Sequence, residues 1–136
     1  METRGRLAPD EGAAREWFED LGPLAQTVTR EVARAMDLDR EAYEERVTPA
    51  VVAAAREAAF ASLLAVHVGS REEFEAWRAD YDGEVHVVGS EHVERVAWHA
   101  GPTGAVAATF QDEADAAVET LRRQAVGRLY RPLFEG

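Results

Sequence analysis

Apolar residues recur at helical spacing from Pro9 to about Asp80, alternate with polar ones from Glu84 to Phe110, and return to helical spacing afterwards. The longest apolar run is Thr48 to Gly69, TPAVVAAAREAAFASLLAVHVG. Thr48 suits an N-cap, Pro49 a first helical position, and Gly69 the left-handed residue after a helix ending at Val68. Only Arg56, Glu57, Ser62 and His67 are polar in between, so the pattern predicts a buried central helix over 49–68, wrapped by its neighbours. One side is small (Ala54, Ala55, Ala58, Ala61, Ser62, Ala65) and lets another backbone come close. The other is bulky (Val52, Phe60, Leu63, Leu64), joined by Arg56 and His67. Adjacent Arg and Glu in a run barely long enough to cross a bilayer argue against a membrane span.

The remaining elements follow from caps and breakers. Residues 3–8 predict a short strand. Pro9-Asp10 opens a helix with Ala14, Trp17, Phe18 and Leu21 on one face, and Gly22-Pro23 is expected to end it and begin another, 23–36. That second helix places Leu24, Val28, Val32, Ala35 and Met36 on one stripe, with Gln26, Thr29, Arg30 and Arg34 opposite. Asp39 suits the cap of a short helix, 40–47. Ser70-Arg71-Glu72-Glu73 is a capping box opening a helix to about Asp80, with Phe74 and Trp77 inward. Runs 84–88, 94–100 and 105–110 predict a three-stranded antiparallel meander with a wet outer face, and Gly101-Pro102-Thr103-Gly104 supplies a hairpin turn. Asp112 caps a closing helix, 113–130. The expected architecture is one α+β domain over 1–136: a helical layer around the central helix, the meander over 84–110, and the closing helix.

Composition adds a solvent. There are 26 acids against 15 bases, every base is arginine, and the formal charge is -11. Lysine, asparagine and isoleucine are absent, as AT-poor codon usage would produce. Such a charge repels itself in dilute buffer, whereas at molar salt the screening length falls to about 3 Å. Both features point to a salt-filled cytosol; an acidic protein of an ordinary GC-rich bacterium is the alternative. No basic stripe favours nucleic acid. Without cysteine there is no disulfide or thiolate metal site, and the N-terminus lacks the apolar core of a signal peptide, so a cytoplasmic location is expected.

Candidate chemistry is sparse. His86 and His99 are expected opposite each other on the sheet's outward face, through a register pairing Val87 with Trp98, and His92 sits in the connecting loop. Together they are the candidate metal ligands or general bases. The plainer reading is three histidines on a solvated face. His67 is expected to cap carbonyls in the last turn of the central helix. Arg56 is either a clamp for an anion or a structural partner of a neighbouring acid. Residues 29–47 have the outline of a helix-turn-helix, but Glu41, Glu44 and Glu45 stand where DNA contacts would be basic or amide, and Asp37 where glycine is common. No phosphate loop, nucleophile elbow or calcium loop is present, so no cofactor is implied.

The segments LGPLAQTVTREVARAM (21–36), FASLLAVHVGSREEFEAW (60–77), ERVAWHA (94–100) and VAATFQDEADAAVETLRRQAVGRLYR (106–131) resemble a family of small uncharacterised haloarchaeal proteins, a domain of unknown function. The resemblance implies a salt-in archaeal cytosol and carries no catalytic residue. The function expected is a non-enzymatic domain acting through a protein partner or self-association, with the apolar tail (Leu129, Tyr130, Leu133, Phe134) as the contact. A small metal- or ligand-binding enzyme using His86 and His99, and a DNA-binding regulator using 29–47, are the alternatives.

Overall fold

A computed structural model describes residues 1–135. Four helices begin on side-chain caps, three of them (Asp39, Thr48, Ser70) read as caps from the sequence. Asp10 accepts from the Ala13 N–H at 2.7 Å and opens α1 (Glu11–Ala35), and Asp39 accepts from Ala42 at 2.8 Å and opens α2 (Arg40–Arg46). Thr48 accepts from Val51 at 3.2 Å and opens α3 (Pro49–Leu63). Ser70 opens α4 (Arg71–Ala79) with both halves of the capping box formed: Ser70 Oγ accepts from the Glu73 N–H, and the Glu73 carboxylate accepts from the Ser70 N–H. Replacing Ser70 with alanine is expected to cost about 1 kcal/mol, read as a lowered midpoint of denaturant unfolding in molar KCl.

Two helix boundaries differ from the pattern. The central helix is shorter than 49–68, and the run that follows it is a strand, β2 (Val66–Ser70), laid between β1 (Glu2–Arg4) and β4 (Arg95–Ala100). Leu64 already has extended backbone, and Leu64, Val66 and Val68 are buried. An apolar run with β-branched residues fits either state, and pairing on both edges outweighs local helix preference. The last carbonyls of α3 are satisfied from outside: Leu63 O accepts the backbone N–H groups of Arg6 and Leu7 at 3.3 and 2.8 Å, and Leu64 O accepts Arg122 Nε at 3.0 Å. Gly5 permits this approach. Its φ is +86°, and a Cβ there would lie 2.4 Å from Leu64 O. Nor is α3 wrapped all round, since only Phe60 and Ala61 are buried within it.

The second difference is α1, which runs through Gly22-Pro23 as one helix of 25 residues. Pro23 removes one backbone donor from the helix interior. Next to it Arg56 fills the notch over Gly22, donating Nε to Phe18 O at 2.7 Å with its guanidinium 4.0 Å from the Phe18 ring centroid. Tertiary contact compensates for a sequence break.

The sheet has five strands in the order β1-β2-β4-β5-β3, with β3 (Val85–Val88) parallel to β5 (Ala105–Phe110) and the other pairs antiparallel. The expected meander over 84–110 is therefore not formed, because β5 lies between β3 and β4. Burial explains the order. β4 is buried on both faces from Val96 to His99 and takes the interior, whereas Val87 and Val88 of β3 are exposed, as an edge strand tolerates. Arg71 pins the β3–β4 connection, donating to Val93 O and Ser90 O. One sheet face meets α4 through Val96, Trp98, Ala107 and Phe74. The other, with Val66, Val68, Ala97 and Val106, meets Phe60 of α3 and Leu121 of α5 (Ala114–Ala125). No side chain caps α5, contrary to the expected role of Asp112. A π-helical turn (Val126–Tyr130) carries α5 into α6 (Arg131–Glu135).

Candidate functional site

The sequence-predicted histidines do not assemble. His86 and His99 both pair with Val106, from opposite sides of β5, so they stand two strands apart rather than face to face. His86 is exposed at the sheet edge, and His92 is exposed in the β3–β4 connection. His99 is fully buried, with Nδ1 2.7 Å from Ala65 O and Nε2 2.6 Å from the Tyr130 hydroxyl. A carbonyl only accepts, so Nδ1 carries the proton and Tyr130 donates to Nε2. Both nitrogens are occupied, and burial depresses the imidazole pKa to about 4. Among the described residues no three His, Asp or Glu side chains are grouped as a metal site requires. His67 lies in β2, not in a helix turn. It shares a 2.9 Å hydrogen bond between Nδ1 and Thr3 Oγ1, and burial lowers its pKa.

The tail also lies elsewhere than expected. Tyr130 is fully buried, Leu129 nearly so, and Leu133 and Phe134 pack on the main core. The Phe134 ring stacks on Phe18 at 3.8 Å and meets Phe60 edge-on at 5.2 Å. Leu129, Tyr130, Leu133 and Phe134 are thus core and closure rather than a free patch.

Five of the large exposed apolar side chains lie instead along α1 and its C-cap. Leu24, Val28, Val32 and Met36 form a ridge at four-residue spacing, each about half exposed, with Trp17 on the same side. The stripe read from the sequence is real, but the helix turns it outward. Ala25, Thr29 and Ala33 face inward, and the Thr29 hydroxyl donates to Ala25 O at 2.7 Å. Small residues at that spacing were the available sign of close helix contact, here with α3. Asp37 takes the left-handed turn (φ 54°) before α2, where Glu41, Glu44 and Glu45 are exposed.

The small side of α3 is only partly covered: Ala61 is buried, while Ala54, Ala58 and Ser62 are exposed. It borders a groove of about 560 Å³ against α5, in which Arg4, Arg122, Arg123 and Arg131 meet Glu57, Asp115 and Glu119. Arg131 holds Glu57 with two bonds of 3.0 and 2.9 Å, Arg4 holds Asp115, and Arg123 holds Glu119 at 2.9 Å. Arg122 has no ion-pair partner among the described residues; it donates Nε to Leu64 O and Nη2 to Arg4 O. Burial, reinforced by nearby Arg4, lowers its pKa. The pairing of Arg122 could not be read from the sequence, because both its acceptors are carbonyls far along the chain.

Fold and surfaces define an α+β domain with a mixed five-stranded sheet, an exposed apolar helix face and one arginine-rimmed groove. The chain belongs to the family of unknown function DUF5809, whose family model matches residues 6–131. No curated protein and no solved structure matches it. Among the described residues no helix is long and apolar enough to cross a membrane.

Proposed function

We propose that this is a self-associating interaction domain of a salt-rich cytosol, and that two copies meet along α1. The observation that carries it is the ridge Leu24-Val28-Val32-Met36, exposed along a helix whose inner face is already packed. Isolated apolar residues on a surface need no explanation, but a continuous helical ridge marks a contact. The partner chosen is a second copy for two reasons. Ridges at four-residue spacing interdigitate with ridges of the same kind, so the face is complementary to itself. The four ridge side chains are uncharged on a chain of net charge -11, and the acid flanking them one turn from Val28, Glu31, is paired with Arg34 at 3.2 Å.

Charge repulsion then opposes assembly at low salt and is screened at high salt. Sedimentation analysis is expected to show dimer at 2 M KCl and a shift toward monomer at 0.1 M. Val28→Glu places a carboxylate in the middle of the ridge and is expected to leave only monomer. Measured at 0.1 M KCl, where the parent is itself shifted toward monomer, its unfolding free energy should stay within about 0.5 kcal/mol of the parent's, because Val28 is half exposed. A parent chain that stays monomeric at both salts, or a dimer indifferent to Val28→Glu, overturns the proposal.

A further inference from the structure

We infer that the groove between α3 and α5 binds a medium-chain aliphatic monocarboxylate, its carboxylate on Arg122 and its chain along the alanines of α3. The size is suitable: about 560 Å³ lies within the range of small-ligand sites. The charge pattern selects the head group. Four guanidinium groups and three carboxylates line the groove of a strongly acidic protein. Three of those arginines are already held by acids, Arg123 by Glu119, Arg131 by Glu57 and Arg4 by both Glu2 and Asp115, so Arg122 alone has no acidic partner among the described residues. A guanidinium has five N–H donors, and Arg122 uses two. Both donors on Nη1 and one on Nη2 have no partner among the described residues. That end-on pair matches the two oxygens of a carboxylate. A dianion such as a phosphate monoester would bring a second negative charge toward Glu57, Asp115 and Glu119.

The body of the ligand follows from the walls. Ala61, Val118 and Val126 are buried beneath the opening, while Ala54 and Ala58 stand open along its side. No aromatic side chain lines the groove, so it offers no stacking surface for a nucleobase or an aromatic acid. Alanine and valine walls offer shallow apolar contact, which suits a flexible alkyl chain.

Octanoate is the probe, with 1-octanol and inorganic phosphate as controls, added to the isotope-labelled full chain and followed by amide chemical shifts. Octanoate is expected to give saturable shifts along α3 and α5, with half-saturation below about 10 mM. Octanol should bind at least about tenfold more weakly, having no charge for Arg122, and phosphate should shift nothing in the groove. Arg122→Gln should weaken octanoate about tenfold. Because Arg122 also caps α3, Ala58→Phe serves as a second variant: it fills the groove from an exposed position, leaves Arg122 in place, and should abolish octanoate binding in a spectrum that is otherwise folded. Absence of saturation by octanoate, equal binding of octanol, groove shifts with phosphate, or undiminished binding by Ala58→Phe each overturns the inference. None of these readouts depends on dimerisation through α1, which Val28→Glu tests separately.

Discussion

Replacing Phe60 with alanine is expected to destabilise the domain by about 3–5 kcal/mol. Phe60 is fully buried and lies where α1, α3 and the C-terminal turn converge. Its ring meets Phe18 edge-on at 6.0 Å, Tyr130 at 5.1 Å and Phe134 at 5.2 Å. Truncation therefore removes the transfer energy of one ring, leaves a cavity, and deprives three aromatic neighbours of their common edge. Since whole domains are stable by only about 5–15 kcal/mol, a fifth or more of the total is at stake. Denaturant unfolding in molar KCl should show a much lower midpoint with an unchanged slope. A loss under about 1 kcal/mol would mean that the aromatic cluster is not the packing centre.

Acid is expected to unfold the protein through His99 before the bulk of its carboxylates protonate. The imidazole is buried, donates from Nδ1 to Ala65 O and accepts from Tyr130 at Nε2, so a second proton would displace the Tyr130 hydrogen bond. Burial holds its pKa at about 4 against an ordinary 6.5, with His67 and Arg122 as nearby positive influences and Ala65 O acting in the opposite direction. The folded state thus binds the proton less readily than the unfolded chain. Stability from this group is fully present above pH 6.5 and is lost as pH falls toward 4, by about 3 kcal/mol across that window. His67, also lowered by burial, contributes in the same direction. Unfolding midpoints measured at pH 7.5 and pH 5 should differ by about 2 kcal/mol in free energy. His99→Gln, which retains a donor and an acceptor, should be less stable at neutral pH yet lose most of that slope. A parent protein equally stable at both pH values would show that the imidazole is not held neutral.

Local chemistry was legible wherever one turn of chain supplies both partners. Asp39, Thr48 and Ser70 cap the helices they were expected to cap, and Asp10 caps the helix that Pro9-Asp10 was expected to open, because a side-chain oxygen and an N–H three residues on need no tertiary help. Asp112 fails as a cap, and Gly22-Pro23 fails as a stop, where Arg56 from α3 fills the break. Leu64 to Gly69 satisfies helix and strand patterns alike, and the open position between β1 and β4 decided for strand. The groove was half legible: the small side of α3 could be read, but not that α5 would stand off from it and leave Arg122 without an acid.

The α+β class, the side-chain-capped helix starts, the acidic, lysine-free composition and the apolar stripe of 24–36 are legible in the chain alone, because each depends on composition or on neighbours within a turn. Only the tertiary structure decided which side of that stripe faces water, that β5 separates β3 from β4, and that His99 ends inside while His86 stays at an edge. Those outcomes depend on which distant segments compete to cover a surface, and periodicity records only that a surface exists to be covered.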